Sequence, residues 1–220
     1  MGGYRAAIFD MDGVLADSEP LYLQGINEVL QEFGLAITED DHNELLGAAV
    51  GPTWDFIYAR YSPPAPYDEC VARYDATMVR LLSQLHEPLP GVRELLLELK
   101  RRGVPRAVAS SSWPNWVKAL LGSTGLDGLF DVSVSSTAVE NGKPAPDIFL
   151  HTAKELHVEP SQCVVLEDSR TGVLASKAAG MYTIQVRAAS TALPPLPEAD
   201  LVLDRLSDFP LSLLDALSHD

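Results

Sequence analysis

The 220-residue chain is long enough for one α/β domain carrying a smaller insertion, and its 46% apolar content supports a buried interior. Sixteen Lys and Arg against 31 Asp and Glu leave a net charge of −15, which repels nucleic acid and anionic membrane at long range. An anionic ligand must therefore be held by a local positive feature such as a metal, a lysine or oriented backbone N–H groups.

The chain opens Met1-Gly2-Gly3-Tyr4-Arg5 and runs straight into an apolar stretch, with no signal-peptide hydrophobic region and no stretch long enough to span a bilayer. Gly2 does not make a myristoylation signal, since the sixth position is Ala6 rather than Ser or Thr. Cys70 and Cys163 both lie within apolar stretches and read as small buried hydrophobes, which fits a reducing cytosol. A cytoplasmic protein without membrane or nucleic-acid partners is the expectation, acting as a monomer.

Short apolar runs at 6–9, 107–109, 132–134, 163–166, 183–186 and 201–203 read as buried strands. Helical periodicity fills 91–102, 113–122, 146–157 and 170–180, with Gly103 and Gly180 at two C-termini. Such alternation predicts an α/β fold, a doubly wound parallel sheet with helices on both faces. After the first strand the rhythm breaks, because the next eighty or so residues carry only helical patterns. Ile26, Val29, Leu30 and Phe33 form one stripe, and Val71, Tyr74, Met78, Leu81, Leu82 and Leu85 another. Residues 18–88 are therefore read as a small inserted helical domain, and 1–17 with 89–220 as the core. Residues 62–66 make a loop between its helices, and Pro88 with Pro90 marks the return.

Open parallel sheets bind ligands at the carboxyl ends of their strands. The residues just after the apolar runs are Asp10-Met11-Asp12-Gly13, Ser110-Ser111-Ser112 and Glu167-Asp168-Ser169, with Gly142-Lys143-Pro144 following the third. Carboxylates, hydroxyls and one ammonium thus collect at one sheet edge. Phosphoryl transfer asks for a nucleophile, a cation to neutralise the equatorial oxygens and an acid for the leaving oxygen. Asp10 suits the nucleophile, Asp10 and Asp168 suit Mg²⁺, and a turn at Gly13 would swing Asp12 toward a leaving group. Taken singly these residues have plainer readings. An Asp-x-Asp-Gly occurs in many turns, the serines suit a helix N-cap, and Lys143 suits a solvated loop.

Asp10-x-Asp12-Gly13-Val14-Leu15, Ser110, Gly142-Lys143-Pro144-x-Pro146-Asp147 and Glu167-Asp168-Ser169 resemble the four motifs of the haloacid dehalogenase superfamily, over nearly the whole chain. The insertion opening Asp17-Ser18-Glu19-Pro20 resembles the helical cap of the branch holding β-phosphoglucomutase and sugar-phosphate phosphatases. The resemblance implies an Mg²⁺-dependent phosphatase acting on a small phosphorylated metabolite, a sugar or polyol phosphate, through an aspartyl-phosphate. It makes Asp10 nucleophile and metal ligand, and Asp12 acid–base and metal ligand through its carbonyl oxygen. Ser110, Ser111 and Lys143 become the phosphate clamp, Asp168 a metal ligand, and Glu167 a ligand or its support.

Within such a family, Asp12 argues for phosphoryl rather than halocarbon substrates. The absence of lysine from 18–88 removes the Schiff base a phosphonoacetaldehyde hydrolase needs. A β-phosphoglucomutase pattern would place arginine three residues after Gly47, where Val50 stands, and a histidine where Tyr22 stands. Hydrolysis is therefore preferred over mutase transfer, although Arg60, Arg73 or Arg80 would restore a second phosphate grip by pointing inward. Trp54, Phe56 and Tyr58 are expected in the insertion's core and at the site entrance. The histidines His42, His86, His151, His157 and His219 lie outside every motif, against a histidine phosphatase. A non-catalytic regulator or scaffold on the same fold is the alternative of a different class.

Overall fold

A computed structural model of the chain describes residues 3–45, 48–189 and 194–214. The strands β1 (Ala6–Phe9), β2 (Arg106–Ala109), β3 (Val132–Val134), β4 (Cys163–Glu167), β5 (Tyr182–Val186) and β6 (Leu201–Leu203) are those anticipated, to within one residue at each end. They form one all-parallel sheet in the order β3-β2-β1-β4-β5-β6. Because β1 pairs with both β2 and β4, the direction of winding reverses between β1 and β4, which opens a crevice at their carboxyl ends.

Strand β1 is a continuous apolar run because both of its faces are covered. Ala7 and Phe9 join the interior formed with the helical insertion, while Ala6 and Ile8 join the interior on the opposite face. The insertion comprises α1 (Glu19–Gln31), α2 (Glu39–Leu45), α3 (Val50–Tyr61) and α4 (Tyr67–Leu82). Pro20 stands in the first turn of α1, where its missing N–H is no loss. Ile26, Val29 and Leu30 of α1 and Tyr74, Met78, Leu81 and Leu82 of α4 are buried as their spacing predicts. Phe33 falls beyond the end of α1 and is only partly buried, as are Val71 and Leu85. Helix α1 packs on α4, and α4 packs on α6 (Pro114–Ser123) of the sheet layer.

The remaining helices are α5 (Val92–Arg101), α7 (Asp147–Glu155) and α8 (Arg170–Ala178). Gly103 and Gly180 follow α5 and α8 with φ of 70° and 74°. Leu89 N donates to Leu15 O at 2.8 Å, so the chain leaves and re-enters the sheet layer at neighbouring points. Cys70 and Cys163 are both free and buried. Among the described residues no helix is long and apolar enough to cross a membrane. Gly2, Gly47 and His219 lie outside the described residues.

Candidate active site

Parallel register sets the site. Phe9 pairs with Leu166 and with Val108, so the next residues, Asp10, Glu167 and Ala109, emerge side by side where the strands end. Asp10 N donates to Leu166 O at 2.9 Å, which carries the β1–β4 ladder one residue further. Asp10 is 6% exposed and Glu167 fully buried. Lys143 reaches between them from the β3–α7 loop, its Nζ 2.5 Å from Asp10 Oδ1 and 2.6 Å from Glu167 Oε1. The lysine of the Gly-Lys-Pro stretch is thus part of the site rather than a solvated loop residue. Burial works against its charge, but the two carboxylates hold its pKa above the ordinary lysine value.

One ammonium does not neutralise this cluster. Asp10, Glu167 and Asp168 each bring an oxygen within 4.8 Å of the others. Burial raises the Asp10 pKa well above the usual carboxylate range; Lys143 opposes this, and Glu167 and Asp12 reinforce it. Asp168 is raised by burial and then by Glu167 and Asp10. A buried, uncompensated negative cluster made only of oxygen donors fits a hard divalent cation such as Mg²⁺, and it includes no His or Cys to favour zinc. Glu167 is already engaged on both oxygens, Oε1 by Lys143 and Oε2 by Ser169 N and Oγ, each at 3.0 Å. This suits support better than direct ligation. The Asp12 carboxyl lies outside the cluster.

Two glycines permit the crowding. Gly13 turns the chain with φ of 73°, and a methyl group there would collide with the Asp168 carboxylate. At Gly172, in the first turn of α8, a methyl group would collide with the Glu167 carboxylate. The same turn is capped by Ser169 Oγ, which accepts from Gly172 N at 3.1 Å.

The turn at Gly13 brings the Asp12 carboxyl among three hydroxyls. Its Oδ1 accepts from Ser18 at 2.5 Å and from Tyr22 at 2.9 Å, and its Oδ2 from Ser112 at 3.0 Å. Tyr22 Oη and Ser112 Oγ are also 2.9 Å apart, which closes a three-membered ring of contacts. Between Tyr22 and Ser112 either hydroxyl can be the donor. Burial raises the Asp12 pKa, against the hydrogen bonds from Ser18, Tyr22 and Ser112 that lower it.

Ser110 is fully buried and its Oγ accepts from Ser112 N at 3.0 Å, leaving its own proton to donate. Ser111 and Ser112 line the cavity. None of the three caps α6, whose N-cap position is Trp113.

Above the strand ends lies a cavity of about 850 Å³, floored by Asp10, Asp12, Asp168, Lys143 and Ser111 and walled on the other side by the insertion. That wall carries Glu19, Tyr22, Tyr74 and, from α2, Glu39, His42 and Asn43. Burial with Asp12 and Asp17 nearby lifts the Glu19 pKa to about 7. Burial lowers that of His42 and favours its neutral form. The motifs did not flag Ser18, Tyr22, Ser112 or the α2 residues as site residues. Ser18 and Tyr22 are spaced i, i+4, a usable signal of a shared face. Helix α2 is too short to show a period, so His42 looked unremarkable. Trp54, expected partly at the entrance with Phe56 and Tyr58, is fully buried, and none of the three lines the cavity.

The insertion's arginines turn away from this wall. Arg60 pairs with Asp41 at 2.9 Å and lies over Phe56. Arg73 pairs with Glu32 and Glu69 and lies over Phe33, and Arg80 pairs with Glu28. Among the described residues, the lysines and arginines lining the cavity are Lys143 and Arg170, the latter at the start of α8 and paired with Glu198 at 3.0 Å.

Comparison with known proteins places this geometry in a family. Residues 7–186 match the family model described as haloacid dehalogenase-like hydrolase. The chain is 38% identical over 198 residues to hexitol phosphatase B of Escherichia coli, covering 88% of this chain and 85% of that one. It is 31% identical over 217 residues to the β-phosphoglucomutase of Bacillus subtilis, covering 96% and 93%. The crystal structure of CbbY from Rhodobacter sphaeroides in complex with phosphate superposes with a TM-score of 0.85 at 29% identity, covering 96% and 99%.

Proposed function

Because the chain belongs to the haloacid dehalogenase-like hydrolase family, we propose that it is a phosphatase that hydrolyses a sugar or polyol monophosphate through an aspartyl-phosphate on Asp10. In this reading residues 18–88 act as a cap over a core made of 1–17 and 89–220. Lys143, Ser110 and Ser111 hold the transferring phosphoryl group. Asp10, Asp168 and the Asp12 carbonyl oxygen would hold Mg²⁺, with Glu167 orienting Lys143. The bound cation supplies charge neutralisation at the phosphoryl oxygens.

The Asp10 carboxylate forms a bond to phosphorus as the ester P–O bond breaks, and Asp12 gives its proton to the departing alkoxide. In the second half Asp12 takes a proton from water, the water oxygen bonds to phosphorus, and the Asp10–phosphate bond breaks. Asp12 is then protonated again.

The observation that carries hydrolysis over mutase transfer is the direction of Arg60, Arg73 and Arg80, all paired with carboxylates outside the cavity. A mutase must hold a bisphosphate at two anion sites, whereas this cap wall offers Glu19, Glu39, a histidine and Asn43. Those groups suit hydroxyls. The testing experiment supplies hexitol and hexose monophosphates and measures phosphate release, then supplies β-glucose 1-phosphate with a trace of glucose 1,6-bisphosphate. Release from the monophosphates, abolished in Asp10→Asn, is the expected result. Rapid glucose 6-phosphate formation with negligible phosphate release would overturn it.

A further inference from the structure

Helix α2 has two faces with different partners. At helical spacing Glu39, His42 and Asn43 share one side and all line the cavity, while Asp41 falls on the other and is 1% exposed. Asp41 joins two devices. With Thr38 it forms a capping box, in which Thr38 Oγ1 accepts from Asp41 N at 3.1 Å and Asp41 Oδ2 accepts from Thr38 N at 3.1 Å and from Thr38 Oγ1 at 2.7 Å. The same carboxylate accepts from Tyr61 Oη and pairs with Arg60 Nε at 2.9 Å, both on α3. From α1, Asn27 Oδ1 accepts from Ile37 N at 2.8 Å, just ahead of the box. A helix this short has little stability of its own, so its direction is set by these ties to α1 and α3.

The cavity face is built differently. Among the described residues, the side chains of Glu39, His42 and Asn43 have no hydrogen-bond or ion-pair partner. The contrast with other amides is direct, since Asn27, Asn115 and Asn141 are each bonded within the chain. Burial disfavours a charge on His42, so its ring offers one N–H donor and one acceptor nitrogen. Asn43 carries both functions as well, and Glu39 adds acceptor oxygens. A hydroxyl donates and accepts at once, so this face matches a run of hydroxyls and opposes a second phosphate or a carboxylate.

We propose that α2 reads the hydroxyls of an uncharged polyol leaving group through His42 and Asn43, and that Asp41, tied to Tyr61, is a positioning residue that turns those side chains into the cavity. This rests on hydrolysis of a sugar or polyol monophosphate at Asp10, and it names the part of the insertion that selects the substrate.

The test compares kcat/KM on a hexitol 1-phosphate and on hexyl phosphate, which has the same carbon chain without hydroxyls. The wild-type chain should prefer the hexitol phosphate. His42→Ala and Asn43→Ala should each shrink that preference about five- to tenfold, mainly through KM, and alanine suits a helix, so both should keep α2. An undiminished preference in either variant overturns the assignment of that residue, and in both it overturns the role of α2. Tyr61→Phe removes one tie between Asp41 and α3 and leaves the capping box intact. It should shrink the preference about threefold. A contact that is merely structural would lower the melting temperature and leave the preference alone, and that result overturns the positioning role. Should Tyr61→Phe fold poorly, Arg60→Gln carries the same test with the same two outcomes, since the Arg60 side chain is exposed. The underlying hydrolase reading fails separately, if the wild-type chain releases phosphate from no hexitol or hexose phosphate, and the proposal then falls with it.

Discussion

At the scale of single residues, the site depends on close approach as much as on chemistry. Gly13 is the clearest case, because a left-handed turn and contact with the Asp168 carboxylate are demanded at one Cα. Gly13→Ala should therefore cost about 1–3 kcal/mol of stability from backbone strain alone. It should also depress activity by pushing Asp168 out of the carboxylate cluster. Chemical denaturation followed by a phosphatase assay checks both, and a variant of normal stability and rate would show that the turn tolerates a side chain. The motif Asp10-x-Asp12-Gly13 was legible in sequence only together with the other three at the strand ends, because an Asp-x-Asp-Gly alone occurs in many turns. Tyr22 and His42 were not, because an aromatic or a histidine on a helix is usually accounted for by packing.

At the scale of elements, the insertion is joined to the sheet layer through α4 and α6. Asp75 Oδ1 accepts from Trp116 Nε1 at 2.6 Å and from Asn115 Nδ2 at 2.7 Å. Trp116 is buried, lines the cavity, and packs against both Tyr74 and Tyr22. Asp75→Ala would strand the buried indole N–H, at a cost of about 1–3 kcal/mol. It should also raise KM by freeing one wall of the cavity. A denaturant melt read by tryptophan fluorescence, with KM measured beside it, tests this; unchanged values would mean that α4 is held by apolar packing alone. The strands and the long helices could be read from periodicity, since burial on one or two faces imposes it. Helix α2 was not resolved as an element, and it is the one that carries Glu39, His42 and Asn43 into the cavity.

At the scale of the whole molecule, charge is the governing quantity, since a chain of net charge −15 gathers Asp10, Glu167 and Asp168 at one sheet edge. Glu19, raised to about 7, holds in the folded state a proton that the unfolded chain releases near its ordinary value. Folding thus binds protons between those values, and stability falls as pH rises through that window. Asp10 and Asp168, also raised, act in the same direction. The metal-free protein should accordingly melt at a lower temperature at pH 7.5 than at pH 5. Mg²⁺ should raise the melting temperature more at pH 7.5, where it offsets ionised carboxylates. Thermal melts at both pH values, with chelator and with Mg²⁺, measure this; a melting temperature indifferent to Mg²⁺ at pH 7.5 would count against the metal site. Sequence by itself determined the order of strands and helices, the chemistry gathered at the strand ends and the helical nature of the insertion, because periodicity and motif spacing are local properties of the chain. Tertiary structure alone decided which way Arg60, Arg73 and Arg80 point, that Tyr22 meets Asp12, and which side chains the insertion presents to the cavity. Apart from Arg73–Glu69 within α4, those contacts join different elements, and the direction of a long side chain is settled by whichever partner folding brings within reach.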